Sequence, residues 1–460
     1  MHSVIYTKLG ENRGLPRIWI EGENISPAFQ IGQHIEMKVD RRKRVVHLKR
    51  VSTKCRFSIS KRTKPSGMVP LLELKDHILS EVFGEVGVKL RIVLKRGRAR
   101  IELHGSVVSC QERVSRFLYK LKSKQPLKIG SLFSGGGILD SAIHRGLKES
   151  GVDSYLKVFV EQEQKYVNSL VSNQPELLKD DSIAVVGSIE DLEYRRHDDS
   201  IVIDVALLGL PCTGASRAGI TSNKIAAAEF HQTAGALFFY ALEFIKMTRP
   251  AIVLIENVVE YLQTASMAVI RSVLKQLNYS LQERVFNGLE FGSLENRNRM
   301  VMVAVSDGLD GFSLEGVTPV QSKPAKVSDI LEHIDPDDPS WRTYDYLAAK
   351  EIRDKADLKG FRRALLDGSE SMVPVIRRLY SKGGSTDPFI LHPDGKRSRK
   401  FTVREHALIK GVPLKLILGL AETVGHEILG QSVCYPVFQA LGCFLGRWIN
   451  GLEGDCAMAA

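Results

Sequence analysis

Val205-Ala-Leu-Leu-Gly-Leu210-Pro-Cys212 sets one thiol at the end of an apolar run, and Thr213-Gly-Ala-Ser216 follows at once. Such a run closed by proline and glycine reads as a buried strand and the turn that leaves it. A second run, Ala251-Ile-Val-Leu-Ile255, ends in Glu256-Asn257-Val258. The chain therefore presents a nucleophile and a carboxylic acid at the carboxyl ends of two strands. In open α/β sheets those ends line the ligand crevice.

Outward from this pair the pattern repeats. Ile129-Gly-Ser-Leu-Phe133-Ser-Gly135-Gly-Gly137 is a strand and a glycine turn, and Leu156-Lys-Val-Phe-Val160 is a strand ending at Glu161. Helical periodicity covers 138–149, 164–173, 234–247 and 265–277. Glu295-Asn-Arg297-Asn-Arg299 then leads into the apolar strand Val301-Met-Val-Ala-Val305. This alternation predicts a largely parallel sheet with helices on both faces. Between about 306 and 398 it stops, in a polar stretch with seven prolines and the Gly383-Gly384 pair. The expectation there is a small irregular domain. Regular structure resumes with Thr402-Val-Arg-Glu405, a helix over 403–410, Gly430-Gln-Ser-Val433 and a helix over 436–450.

A chain of 460 residues is long enough for two or three domains. Its net charge is +11, and the positive excess lies in residues 1–126, while the remainder is slightly acidic. Residues 17–20, 34–39 and 45–48 alternate apolar and polar residues, which predicts half-buried strands. Ile31-Gly-x-x-Ile-x-Met-x-Val39 is echoed by Val86-Gly-x-x-Leu-x-Ile-x-Leu94. Basic turns follow both, Asp40-Arg-Arg-Lys-Arg44 and Lys95-Arg-Gly-Arg98. The two units resemble the swapped-hairpin DNA-binding domains of bacterial regulators; a chance repeat of hairpins is the competing reading. A helix over 109–122 and a linker at 123–126 end the segment. Its charge makes it a nucleic-acid candidate, against a merely solvated surface.

No uninterrupted apolar stretch reaches the ~18 residues of a membrane span, and no apolar segment follows a basic start. Six scattered cysteines without a Cys-x-x-Cys pair argue against structural zinc and a disulfide framework. The expectation is a reducing, cytoplasmic setting without metal or membrane.

Taken singly, each motif has an ordinary reading. Phe133–Gly137 is a tight turn, Glu161 a solvated helix start, Cys212 a buried inert thiol. Glu256 would complement a helix dipole, and Arg297 and Arg299 would be solvated charges. Their order over residues 127–450 resembles the cytosine C5-methyltransferases, which use S-adenosylmethionine. The resemblance implies a Rossmann-like α/β core over 127–305 and 399–460 and a target-recognition domain over 306–398. Before them would stand the basic β-rich domain, 1–126.

On this resemblance, Phe133, Ser134, Gly135, Gly137 and Ile138 would cradle the methyl donor, and Glu161 would bind its ribose. Ser188 and Ile189 would meet the adenine where the family carries an acid. Gln431, Ser432 and Val433 would lie near the donor methionine, with glutamine for the usual asparagine. Cys212 would add to C6 of a flipped cytosine, because a thiolate there turns C5 into an enamine carbon. Glu256 would protonate N3, Arg299 would contact the base, and Arg297 would support it or reach a phosphate. Pro211, Thr213, Ser216 and Asn257 would border the base. Asp204, seven residues before Pro211, also matches the pattern. Arg377, Arg378, Lys382, Arg397 and Arg399 are candidate DNA contacts, and residues 214–231, with Arg217 and Lys224, a lid. Thr213 and Glu295 stand where the family usually has glutamine, which implies altered substrate handling.

The implied protein is a monomeric bacterial or phage DNA-modification enzyme acting on double-stranded DNA, with a cognate restriction endonuclease as a candidate partner. Competing readings are a tRNA cytosine methyltransferase, a non-catalytic DNA-binding regulator and a Rossmann-type oxidoreductase.

Overall fold

A computed structural model describes residues 3–65, 67–192, 201–211, 235–358 and 361–458. Cys212, Thr213, Ser216 and the expected lid lie outside the described residues. The chain divides into two compact units, Met1–Glu112 and Arg113–Ala460.

The first unit contains β1 (Ser3–Lys8), β2 (Gly10–Asn12), β3 (Leu15–Glu21), β4 (His34–Asp40), β5 (Val45–Val51), β6 (Phe57–Ser58), β7 (Ser60–Lys64) and β8 (Gly67–Lys75). Helix α1 (Ile78–Phe83), β9 (Lys89–Lys95) and β10 (Arg98–Leu103) follow, and the division falls within α2 (Gly105–Lys122). All pairings are antiparallel, in a six-stranded sheet ordered β1-β9-β10-β5-β4-β6 and a four-stranded sheet ordered β2-β3-β8-β7. The two echoed sequences are the hairpins β4–β5 and β9–β10, set side by side through β5 and β10. Leu90, Ile92, Leu94, Ala99 and Ile101 point into one core with Ile18, Leu72 and Phe83. The intervening Arg91, Lys95, Arg98 and Arg100 face the other way, as period-2 geometry requires.

The second unit is built on β11 (Leu127–Leu132), α3 (Ile138–Glu149), β12 (Ser154–Glu161), α4 (Gln164–Asn173), β13 (Ile183–Val186) and β14 (Val205–Gly209). It continues with α5 (Leu237–Thr248), β15 (Ile252–Asn257), α6 (Ala265–Gln276), β16 (Tyr279–Asn287) and β17 (Asn298–Ser306). The sheet order is β13-β12-β11-β14-β15-β17-β16, with β17 antiparallel to both neighbours and the other pairs parallel. The chain runs outward from β11 through β12 to β13, then returns to β14 on β11's other side. The reversal between β11 and β14 is the topological switch point where open sheets bind ligands.

Alternate strand residues feed two cores. Ile129, Leu207, Leu254 and Val303 pack with α3 and the C-terminal helix, while Leu132, Leu208, Ile255 and Met302 pack with α5 and α6. Burial on both faces explains the continuous apolar runs.

Residues 307–398 differ from the irregular expectation. They include α7 (Asp345–Ala356) and a three-stranded sheet of β18 (Ala364–Leu366), β19 (Pro388–Leu391) and β20 (Ser398–Arg399). A separate core of Val327, Val373, Ile376, Tyr380, Ile390 and Phe401 holds them. Helix α7 buries only Leu347 and Asp354, so it leaves no apolar period to read. The chain ends with α8 (Val403–Ile409), α9 (Glu422–Gln431) and α10 (Tyr435–Met458). Helix α10 crosses α3 at glycines: a Cβ on Gly146 would lie 2.2 Å from the Gln439 carbonyl oxygen. This crossing returns the last motif to the first strand. No single helix among the described residues is long and apolar enough to cross a membrane.

Candidate active site

The loop after β11 turns through left-handed backbone at Phe133 (φ 59°), Gly135 (φ 54°) and Gly137 (φ 73°). Phe133 and Ser134 donate their amides to the Val160 carbonyl, which ties the loop to the end of β12. Gly137 precedes Ile138, the first and buried residue of α3. A Cβ on Gly137 would meet Leu170 at 2.8 Å and one on Gly136 would meet Ile428 at 2.5 Å, so the glycines let α4 and α9 close on the loop.

Glu161 faces this loop. Its two oxygens accept the amides of Gly135 (2.8 Å) and Glu163 (3.0 Å). A carboxylate oxygen accepts more than one bond, so acceptor capacity remains for a ligand hydroxyl on each. Gly187 donates its amide to the Glu161 carbonyl, which brings Ser188 and Ile189 beside it. Ser188 caps a short helical turn by accepting the Glu190 amide, and Ile189 is buried. The Ser134 hydroxyl is buried with no hydrogen-bond partner among the described residues. From the C-terminal side, the Gln431 amide nitrogen lies 3.3 Å from where a Gly135 Cβ would stand. Ser432 bonds the Leu429 carbonyl, and Val433 is buried.

Across the switch point, the Asn257 side chain ties two strand ends together. Its amide nitrogen donates to the Leu210 carbonyl (3.2 Å) and its oxygen accepts the Val258 amide (2.8 Å). The strand leading to Pro211 is therefore fixed to the strand bearing Glu256. Glu256 Oε1 lies 2.9 Å from Arg299 Nε, and both side chains are largely buried. Pro211 is half-buried at the edge of this site.

Arg297, two residues from Arg299, serves a different neighbourhood. It is buried, 3.6 Å from Glu295 and 3.4 Å from the Gly430 carbonyl. Glu295 and Lys410 are fully buried and paired at 2.7 Å, and Glu295 also accepts the Ile376 amide. Burial pushes the Glu295 carboxyl up, but Lys410 and Arg297 more than offset this and hold it below its ordinary value. Lys410 donates in addition to the Ser432 carbonyl. Glu295 and Lys410 thus join the Arg297 segment to the Gly430–Val433 segment. Nothing in the spacing of Lys410 signals this.

Of the candidate DNA contacts, Arg377 is held by Asp387 through two nitrogens (3.1 and 3.0 Å). Arg378 lies 3.6 Å from Glu163 and over the Tyr166 ring. Lys382 is exposed, and Arg397 bonds Asp394 (2.7 Å). Arg399 is corrected: it is 2% exposed and doubly bonded to Glu405, which itself closes the cap of α8. A guanidinium buried against Glu405 and the Lys400 carbonyl does not reach a phosphate. Asp204 stands away from this site. It lies at the amino end of β14, accepting the Lys128 amide and pairing with Lys120.

Four described cysteines are free. Burial pushes the thiols of Cys434 and Cys443 up to about 11, which makes both poor nucleophiles. Among the described residues no group of His, Cys, Asp and Glu could hold a metal.

Residues 127–446 match the model of the family described as C-5 cytosine-specific DNA methylase. The chain is 28% identical over 274 residues to Type II methyltransferase M.SsoII of Shigella sonnei, covering 55% of this chain and 67% of that one. It is 30% identical over 250 residues to Type II methyltransferase M1.ScrFI of Lactococcus lactis subsp. cremoris, covering 52% and 61%. In fold it is similar to the S. pombe Dnmt2 methyltransferase, with TM-score 0.56, 18% identity and coverage of 71% and 99%. It is also similar to the methyltransferase EhMeth of Entamoeba histolytica, with TM-score 0.55, 16% identity and coverage of 71% and 99%.

Proposed function

The chain belongs to the C-5 cytosine-specific DNA methylase family and is a DNA cytosine methyltransferase; from that premise we propose that Cys212, Glu256 and Arg299 act together on a cytosine turned out of double-stranded DNA. The observation that carries this reading is the Glu256–Arg299 pair beside a strand end that Asn257 fixes just before Cys212. Its relatives' names support a role in type II restriction-modification.

The proposed donor is S-adenosylmethionine, which when bound supplies a methyl group on a sulfonium. The residues present fit it. Glu161 keeps acceptor capacity for two ribose hydroxyls, Ser134 offers a buried unpartnered hydroxyl, and the α3 amino end suits a carboxylate. Gly135 lets Gln431 approach the loop, and Gly137 lets Leu170 and Gln174 pack against it. Ser188, Ile189, Gln431, Ser432 and Val433 would complete the walls.

At the base, Cys212 loses its thiol proton to solvent and its thiolate forms a bond to C6, while Glu256, in its protonated form, gives its proton to N3. The C5–C6 double-bond electrons become available at C5, which takes the methyl group. A base then removes the C5 proton, the C6–S bond breaks to release the Cys212 thiolate, and the N3 proton returns to Glu256. Water is our candidate for that base. Arg299 would hold the Glu256 carboxyl toward the ring and offer donors to the base. A cytosine inside a duplex cannot meet these groups, so it must leave the stack.

The test is DNA carrying 5-fluorocytosine at the methylated position. Fluorine does not leave as a proton does, so wild-type protein should remain covalently attached. Cys212→Ser should form no adduct and transfer no methyl while still binding the donor. Full turnover by the serine variant would remove Cys212 from the mechanism.

A further inference from the structure

The six-stranded sheet of the first unit has an open face that the methyl-transfer site does not use. Hairpins β4–β5 and β9–β10 form a depression of about 750 Å³ on it. Lys38, Lys49, Arg91, Lys95, Arg98 and Arg100 line it, against Glu36 and Glu102. The acids are engaged: Glu102 pairs with Arg91 and Arg100, and Glu36 with Lys38.

The remaining cations are arranged against their own repulsion. Arg98 stands opposite Lys49 on one side and opposite Lys95 on the other, in one row across three strands. Like charges directly opposite one another destabilise a sheet. All three are exposed, and no acid among the described residues lies within ion-pair distance of them. Glu36 is next in the row, opposite Lys49 on β4, but it pairs with Lys38, so the lining keeps six cations against two acids. Adjacent rows lie about 7 Å apart along each strand, so Lys38 and Arg100 extend the same positive field.

We propose that this face binds the phosphate backbone of duplex DNA, independently of sequence and apart from the methylated cytosine. The chemistry favours a duplex over a single strand. Single-strand sites stack bases on aromatic rings, and the depression is lined by no Phe, Tyr or Trp. Phosphate contacts position a protein without reading bases, so target choice should rest elsewhere.

The test uses the full chain carrying Lys49→Gln, Lys95→Gln and Arg98→Gln. The control replaces three exposed lysines of the same unit, Lys43, Lys54 and Lys61, with glutamine, for the same change in charge. Binding is measured against salt on a target duplex, a scrambled duplex and a single strand. The face variant should lose about tenfold in duplex affinity, and its salt slope should fall by about two to three, near 0.9 per phosphate contact. Both duplexes should lose equally, and the control should change less. Methyl transfer at saturating DNA should keep its rate, so failure here is separable from failure of the catalytic reading. An unchanged slope, a control that behaves alike, or a loss confined to the single strand would overturn the proposal.

Discussion

Glu256 and Arg299 meet diagonally across the antiparallel pair β15–β17, with Oε1 2.9 Å from Nε. Each largely buried charge is answered by the other, so neither residue can be altered alone without leaving its partner exposed to that cost.

Glu256→Gln should therefore slow single-turnover methyl transfer by about 10²-fold or more, the usual scale for losing a general acid. Arg299→Ala should slow it comparably. The double variant should be little worse than the poorer single, because groups acting as one unit are not additive. Single-turnover rates for all three check this; strict multiplication of the two losses would separate their roles.

Glu295→Gln should destabilise the second unit by about 3–5 kcal/mol, since it strands the Lys410 ammonium in a dry site. Adding Lys410→Met should recover much of that loss. Thermal unfolding of the two singles and the double gives the coupling, expected to exceed about 1 kcal/mol. Additive losses would show that the pair is not a unit.

Gly430→Ala should disturb donor binding and stability together. A Cβ there would lie 2.3 Å from the Arg377 carbonyl oxygen and 2.6 Å from the Arg378 nitrogen, and backbone does not yield cheaply. Overpacking of this kind costs about 1–3 kcal/mol. Donor titration calorimetry and thermal unfolding test it; an unaffected variant would mean that the two segments separate readily.

Asp140 carries a pH prediction. Burial pushes its carboxyl up to about 6, from an ordinary 3.8. The stability it contributes is complete below about pH 4 and is lost as pH rises through 6. Asp140→Asn removes that titration. The variant should match wild type near pH 4 and melt a few degrees higher above pH 6, on the order of 3 kcal/mol. Parallel melting curves from pH 4 to 8 would refute this.

The helices 138–149 and 164–173 were legible to the residue, because their apolar faces repeat with helical period and glycine or an acid precedes them. The glycine loop, Glu161 and Glu256 were legible for a related reason: parallel strands announce their own carboxyl ends. Charge was a poorer guide. Arg399 looked like Arg397 in sequence, yet one is buried against Glu405 and the other is half-exposed beside Asp394. The Glu295–Lys410 pair was invisible because its partners are separated by the whole 307–398 insertion, and burial, which gives the pair its force, is a property of the folded chain alone.

That insertion is stitched to the sheet, not merely appended to it. Val373 exchanges backbone bonds with Leu294 and Asn296, Ile376 donates to Glu295, and the Arg377 carbonyl lies against Gly430. Two enzymes of this kind would therefore not trade this insertion at the obvious borders near 306 and 398. A working chimera would have to carry Leu294–Arg297, Lys410 and Gly430 along with the transplanted segment, or re-fit them afterwards. Exchange of the insertion would then be a joint event in three distant stretches of the gene.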